Sequence, residues 1–311
     1  MSGSVVDDPG RQRRSMQHQR QRRRKLRWRT VTVLPALFTL GNLLCGFLAI
    51  FFASRGADAD LPWKWTPLTL GAVFVFLGML FDAIDGRIAR LTHQESELGE
   101  QLDSMADMVT FGAAPAFLAT QLVFRPEDAL GITRLPFFSG AGDAFYDRVT
   151  LVVASIYVAC AALRLARFNI DKSHAEPGNA TEFTGMPTPG AAGTVCSFVL
   201  LHEHLIAQID RGAGAGLAVT MAGTGMVAIM LLVAVAMVSR LTYPHVANRY
   251  FRGNARFNTI TKIVLVAPFL LIWPQPVLAV AFGLYAVSAP VMALRPGTAS
   301  KVAESATTSE N

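Results

Sequence analysis

FDAIDGRIARLTHQESELGEQLDSMADMVTFG, Phe81 to Gly112, is the stretch on which the fold turns. It joins two apolar blocks and plants four aspartates at the junction. Asp82 and Asp85 close the block before it, and Asp103 and Asp107 open the block after it. Ionisable side chains in or beside membrane segments are costly and usually functional. The stretch therefore reads as the turn of a membrane-helix hairpin, with its charges gathered at one interface.

Helical spacing groups these charges. Asp82 and Asp85 are three apart and share a face, and Asp103 and Asp107, four apart, do likewise. Gly86 and Ala89 fall on the face of Asp82, and Gly99 lies one turn before Asp103. Each helix thus sets carboxylates beside residues with almost no side chain, leaving room for a ligand to approach the backbone. Four converging carboxylates repel one another unless protons or cations neutralise them. An all-oxygen donor set favours Mg²⁺ or a similar hard cation. Two such ions would suit phosphoryl-group transfer, where they clamp the attacking and leaving oxygens. Arg87 and Arg90 lie beside the quartet and could hold phosphate oxygens.

The chain around this stretch has membrane composition. Of 311 residues, 52% are hydrophobic and 16% charged, against about a quarter charged in soluble domains. The apolar residues come in blocks approaching the roughly 20 residues that cross a bilayer. Eight helices are expected, at about 32–54, 67–85, 104–124, 148–166, 187–208, 217–238, 259–272 and 276–294. The last two form a short hairpin around Pro274 and Pro276. Three parts follow: a polar tail (1–30), a transmembrane catalytic domain (31–294) and a second polar tail (295–311).

The charge distribution orients the helices. Ten Arg or Lys lie between Arg11 and Arg29, against Asp7 and Asp8, so the first tail carries +8 and the rest of the +6 chain carries −2. Such a tail reads as a disordered arm held near anionic lipid, with no nucleic-acid role. With eight crossings and a cytoplasmic N-terminus, the outside loops hold only Arg55, Lys64, Arg125, Arg134, Arg148 and Arg211. That leaves 22 of the 28 basic residues inside. This is the positive-inside bias, and it puts the four aspartates at the cytoplasmic face of the cell (inner) membrane. Cys45, Cys160 and Cys196 lie in apolar blocks without metal spacing and read as packing residues. His202 and His204, flanking Glu203, are expected in an outside loop far from the quartet and without a metal role.

The quartet belongs to a longer pattern, D-x₂-D-G-x₂-A-R-x₈-G-x₃-D-x₃-D, with eight specified positions from Asp82 to Asp107. The chain resembles the CDP-alcohol phosphatidyltransferase family, whose signature it carries without a departure. The resemblance implies a six-helix catalytic core, often homodimeric, with two Mg²⁺ or Mn²⁺ ions and a CDP-linked donor. By position, Asp82, Asp85, Asp103 and Asp107 would be metal ligands, with Asp107 also the general base. Gly86, Ala89, Arg90 and Gly99 would contact the CDP moiety, and CMP would leave.

Flanking segments resemble the membrane-integral bacterial phosphatidylserine synthases: FTLGN (38–42) with Cys45-Gly46, LDSMADMVTFGAAP (102–115), LRLARFNI (163–170) and FTGMPTP (183–189), with Tyr243-Pro244-His245 a weaker match. They span most of residues 35–250. They imply CDP-diacylglycerol and L-serine as substrates. Arg164 and Arg167, expected to end the fourth helix on the side of the quartet, are candidates for the serine carboxylate, and Asn169 for its amino group. Thr39 and Asn42, polar residues inside the first helix, would hydrogen-bond the nucleotide or a neighbouring helix. Gly185, Pro187, Pro189 and Gly190 would shape a re-entrant or kinked start to the fifth helix. Other acceptors remain open, namely glycerol 3-phosphate, inositol phosphate or choline. A phosphate-bearing acceptor would want a richer basic cluster than two arginines. A cation-coupled transporter would favour repeated halves and broken midplane helices, and the sequence has no internal repeat.

Overall fold

The computed structural model describes residues 36–56, 65–92, 97–124, 143–174, 185–209, 216–239, 241, 243 and 272–293. Among these residues every regular element is helical. In chain order they are α1 (Ala36–Ala53), α2 (Pro67–Thr92), α3 (Glu97–Asp107), a π-helical turn (Met108–Ala113), α4 (Ala114–Val123), α5 (Asp143–His174), α6 (Thr188–Ile209), α7 (Gly216–Val238) and α8 (Pro274–Ala293). Six spans are long and apolar enough to cross a membrane: α1, most of α2, α3 running on into α4, most of α5, α6 and most of α8. The chain is an all-α, multi-pass membrane protein. The expected helix at 259–272 lies outside the described residues apart from its last position, as do the basic tail and the C-terminal tail.

Local sequence explains the helix starts. Thr66 Oγ1 accepts the Thr69 backbone N–H at 3.1 Å, and Pro67 follows at the first helical position, where a missing N–H costs nothing. α6 starts from Pro187-Thr188-Pro189, with Gly185 at φ +89° just before it. A Cβ at Gly185 would collide with the Met237 carbonyl, so only glycine fits. The Gly185 and Met186 amides donate to Leu241 and Ala236 carbonyls at 2.9 and 3.0 Å, tying this corner to the end of α7. The sequence expectation of a shaped entry to the fifth apolar helix rests on this corner.

Four boundaries differ from expectation: α2 ends at Thr92 and not near 85, α3 starts at Glu97 and not near 104, and α5 runs from Asp143 to His174 and not from about 148 to 166. α2 continues through Asp82 and Asp85 to Thr92, so those carboxylates sit inside a helix. α5 covers 32 residues, about 48 Å at 1.5 Å per residue, well beyond a ~30 Å hydrocarbon core. Arg164 and Arg167 therefore lie within α5, which runs on to His174. The largely polar stretch past 166 concealed that extension, because helix propensity does not need an apolar surround.

In lipid there is no hydrophobic force between helices, so close packing of small residues must hold them. α6 packs against α2, α4, α7 and α8, and α5 packs against α7 and α4. One close approach joins α1, α2 and the π turn. A Cβ at Gly46 would stand 2.5 Å from Thr110 Oγ1, and one at Gly78 would stand 2.6 Å from Thr110 Cγ2. Ala49, Ala72 and Val75 are fully buried along the same seam. Cys45 and Cys196 are buried and Cys160 is partly buried, all as free thiols, as expected of packing residues. This seam is what carries α1 to the carboxylates.

Candidate active site

The aspartates meet where α2 ends and α3 begins. Asp82, Asp85 and Asp103 each offer a carboxylate oxygen, and these oxygens lie within 4.8 Å of one another. Among the described residues this is the one cluster of His, Cys, Asp or Glu groups with metal-binding spacing. It draws from two helices, so the hairpin geometry creates it. The Asp107 carboxylate lies one turn further along α3, within electrostatic reach of Asp82, Asp103 and Asp85. Three oxygens so close would repel strongly without a counter-charge. An oxygen-only set with this spacing fits a hard divalent cation.

Side chains from α1 reach two of these carboxylates. Thr39 Oγ1 donates to Asp85 Oδ2 at 2.8 Å. Asn42 Nδ2 donates to Asp107 Oδ1 at 3.0 Å. Asn42 is fully enclosed and Thr39 is 5% exposed. Both side chains thus hydrogen-bond to neighbouring helices.

The helix changes form directly after Asp107. Met108–Ala113 is a π turn, a geometry that often marks functional sites. Two bonds hold the widened turn. Thr110 Oγ1 donates to the Asn42 carbonyl at 2.8 Å, and Tyr157 OH donates to the Phe111 carbonyl at 3.0 Å. Tyr157 is fully buried, so its hydroxyl must find an acceptor inside the bundle. No sequence signal marks the π turn or the Tyr157 bond, since both arise from pairings 46 and more positions apart.

The candidate acceptor residues separate. Asn169 Nδ2 donates to Ser104 Oγ at 2.9 Å, and Ser104 in turn donates to the Glu100 carbonyl at 3.1 Å. This brings α5 against α3 one residue from Asp103. Arg164 is half-buried, with Nε donating to the Met186 carbonyl at 3.1 Å and its guanidinium 5.6 Å over the Phe168 ring. Arg167 is exposed and pairs with Asp171 at 3.8 Å on its own helix, an interaction worth little in solvent. Gly86 is half-buried on α2 and Gly99 half-buried on α3. Ala89 and Arg90 lie on α2, but their side chains are outside the described residues. Arg87 is exposed.

His202 and Glu203 correct one expectation. They are buried within α6, not placed in a loop, and His202 Nδ1 lies 3.6 Å from Glu203 Oε1. They stand 14 or more residues beyond Thr188, roughly 21 Å along the helix axis.

A family model described as CDP-alcohol phosphatidyltransferase matches residues 32–235, from the start of α1 to near the end of α7. The chain belongs to that family. Its carboxylate cluster, π turn and α1 contacts all lie inside the matched region. The chain is 29% identical over 255 residues to a CDP-diacylglycerol--serine O-phosphatidyltransferase of Helicobacter pylori, covering 82% of this chain and 88% of that one. It is 32% identical over 167 residues to the Bacillus subtilis protein of the same name, covering 54% and 74%. An archaetidylserine synthase of Methanothermobacter thermautotrophicus is 30% identical over 217 residues, covering 68% and 70%.

Proposed function

We propose that this protein transfers the phosphatidyl group of CDP-diacylglycerol to L-serine, giving phosphatidylserine and CMP. The observation that carries this reading is the meeting of Asp82, Asp85 and Asp103 oxygens within 4.8 Å, with Asp107 one turn away. The names of the relatives, bacterial and archaeal, supply serine as the acceptor.

In this reading Asp82, Asp85, Asp103 and Asp107 hold two divalent cations, Mg²⁺ or Mn²⁺. When bound, the ions neutralise charge on the phosphate oxygens and on departing CMP. Gly86, Ala89 and Gly99 leave backbone room for the CDP moiety, and Arg90 meets its phosphates. Asp107 takes the proton of the serine hydroxyl, a poor nucleophile at neutral pH, as a positioned base. The serine oxygen then bonds to the phosphorus bearing diacylglycerol, and the bond from that phosphorus to CMP breaks. Arg164 and Arg167 receive the serine carboxylate, and Asn169 its amino group. Arg164 is the better supported of the two arginines. Its Nε is anchored on Met186, which leaves the terminal guanidinium nitrogens for a ligand.

The site and the N-terminus face the cytoplasm of the inner membrane in this reading, supported by the bias of basic residues. The diacylglycerol tails then stay in lipid while serine arrives from water. A homodimer is the assembly that the family resemblance favours. The test is to supply purified enzyme with CDP-diacylglycerol and, in separate reactions, serine, glycerol 3-phosphate, inositol phosphate or choline, and to measure CMP. Serine alone should release it. CMP release with another acceptor and none with serine would replace the acceptor while keeping the chemistry.

A further inference from the structure

Thr39 and Asn42 occupy the same face of α1, three residues apart, and each takes one oxygen of a different aspartate. We propose that α1 is the orienting helix of the site. Thr39 and Asn42 fix which oxygen Asp85 and Asp107 present to a cation or a proton, and neither contacts the nucleotide. The proposal rests on the function proposed above, in which Asp85 is a ligand and Asp107 a ligand and base.

Three observations carry it. First, the bonds are specific: Thr39 takes Oδ2 of Asp85 and Asn42 takes Oδ1 of Asp107, so each hydroxyl or amide fixes one named oxygen of its carboxylate. Second, Asn42 is fully enclosed. Third, Asn42 is retained against a local cost. Its Oδ1 is buried with no hydrogen-bond partner, 2.9 Å from where a Cβ on Gly78 would stand. An unsatisfied buried oxygen disfavours folding, and such atoms call for a functional explanation. Turning the amide over would aim that oxygen at Asp107 Oδ1 and remove the bond. The Asn42 carbonyl is meanwhile fixed by Thr110, at the start of the π turn that follows Asp107. Both ends of the contact are therefore rigid. Groups that orient metal ligands in this way are worth about 10–100-fold in metal affinity or activity.

The test uses the purified full-length enzyme and four variants, Thr39→Val, Asn42→Ala, Asp85→Asn and Asp107→Asn, with the two doubles Thr39→Val/Asp85→Asn and Asn42→Ala/Asp107→Asn. Asn42→Asp, of the same size and also lacking the donated N–H, replaces Asn42→Ala if the latter does not fold. Mn²⁺ affinity is read by electron paramagnetic resonance of the free ion, and kcat and donor KM at saturating Mn²⁺. Thr39→Val should weaken Mn²⁺ binding by about 10–100-fold, and Asn42→Ala should lower kcat by about the same factor. Donor KM should stay within roughly threefold in both. Neither change should add to the defect of its aspartate partner, because each acts through that partner. A large rise in donor KM with kcat preserved would overturn the proposal and make these residues nucleotide contacts. Additive defects in the doubles would overturn it too. Unchanged Mn²⁺ affinity and turnover in Asp85→Asn and Asp107→Asn would be a different failure: it would remove the proposed function, and the orienting role with it.

Discussion

Asn42 Nδ2 donates to Asp107 Oδ1 at 3.0 Å across 65 positions of sequence, joining the first helix to the third. The bond selects between the two oxygens of a carboxylate that would otherwise rotate. It also gives Asp107 a geometry that survives amidation, since an amide oxygen can still accept the Asn42 N–H.

That makes Asp107→Asn a clean test of the base. The variant keeps size and the Asn42 bond, but loses the proton acceptor and the oxygen that Asn42 leaves open. It should still bind CDP-diacylglycerol, with turnover lowered by about 10²–10⁴, the usual worth of general-base catalysis. Asp82→Asn should weaken cation and donor binding as well, because it removes charge from the cluster itself. Measuring donor affinity and kcat in both variants separates the roles. Turnover within tenfold of wild type in Asp107→Asn would leave that residue a ligand only.

The two arginines should now behave differently. Arg164 is anchored by Met186 and Phe168, whereas Arg167 is exposed beside Asp171. Arg164→Ala should raise the serine KM by tenfold or more, the order expected for losing a charge-assisted contact of ~1.5–3 kcal/mol. Donor KM should move little. Arg167→Ala should change either constant by less than threefold, in keeping with a surface pair worth ~0–1 kcal/mol. Equal rises in both substrate constants for Arg164→Ala would point to donor phosphate or to structure instead.

Gly78 should be intolerant of the smallest substitution. A Cβ there meets Thr110 Cγ2 at 2.6 Å and Asn42 Oδ1 at 2.9 Å. Overpacking of this kind costs ~1–3 kcal/mol, and here it also pushes on the side chain that holds Asp107. Gly78→Ala should lower the thermal midpoint and kcat together. Gly225, with nothing within 4 Å of its would-be Cβ, is the matched control, and Gly225→Ala should leave the midpoint near wild type or above it.

Cation dependence should be strict. Carboxylate oxygens gathered within 4.8 Å need a counter-charge to serve as a binding site. Excess chelator should abolish turnover, and Mg²⁺ or Mn²⁺ should restore it. Full activity in chelator would remove the two-ion mechanism.

Much of this was legible in the sequence because the signal was local. The eight fixed positions from Asp82 to Asp107 lie within 26 residues, and helical spacing alone puts the aspartates in pairs on shared faces. Apolar blocks likewise located α1, α6 and α7 to within a few residues, because lipid demands them. What stayed hidden depends on distant partners or on polar surfaces. The extension of α5 past 166 is largely polar and so left little hydropathy trace. The apolar block at 187–208 already contains His202 and Glu203, but nothing local shows that each is enclosed by the bundle and not in an outside loop. The role of α1 was half visible. Thr39 and Asn42 stood out as polar residues in an apolar helix, but their partners lie 46 and 65 positions away.

The transfer of phosphatidyl to serine is the central claim, and acceptor-dependent release of CMP tests it most directly. Purified enzyme with CDP-diacylglycerol and Mn²⁺ should release CMP only when serine is added, in a one-to-one ratio with phosphatidylserine. Asp107→Asn should suppress both products together. Serine-independent CMP release at the same rate, or phosphatidyl transfer to glycerol 3-phosphate, inositol phosphate or choline in preference to serine, would contradict it.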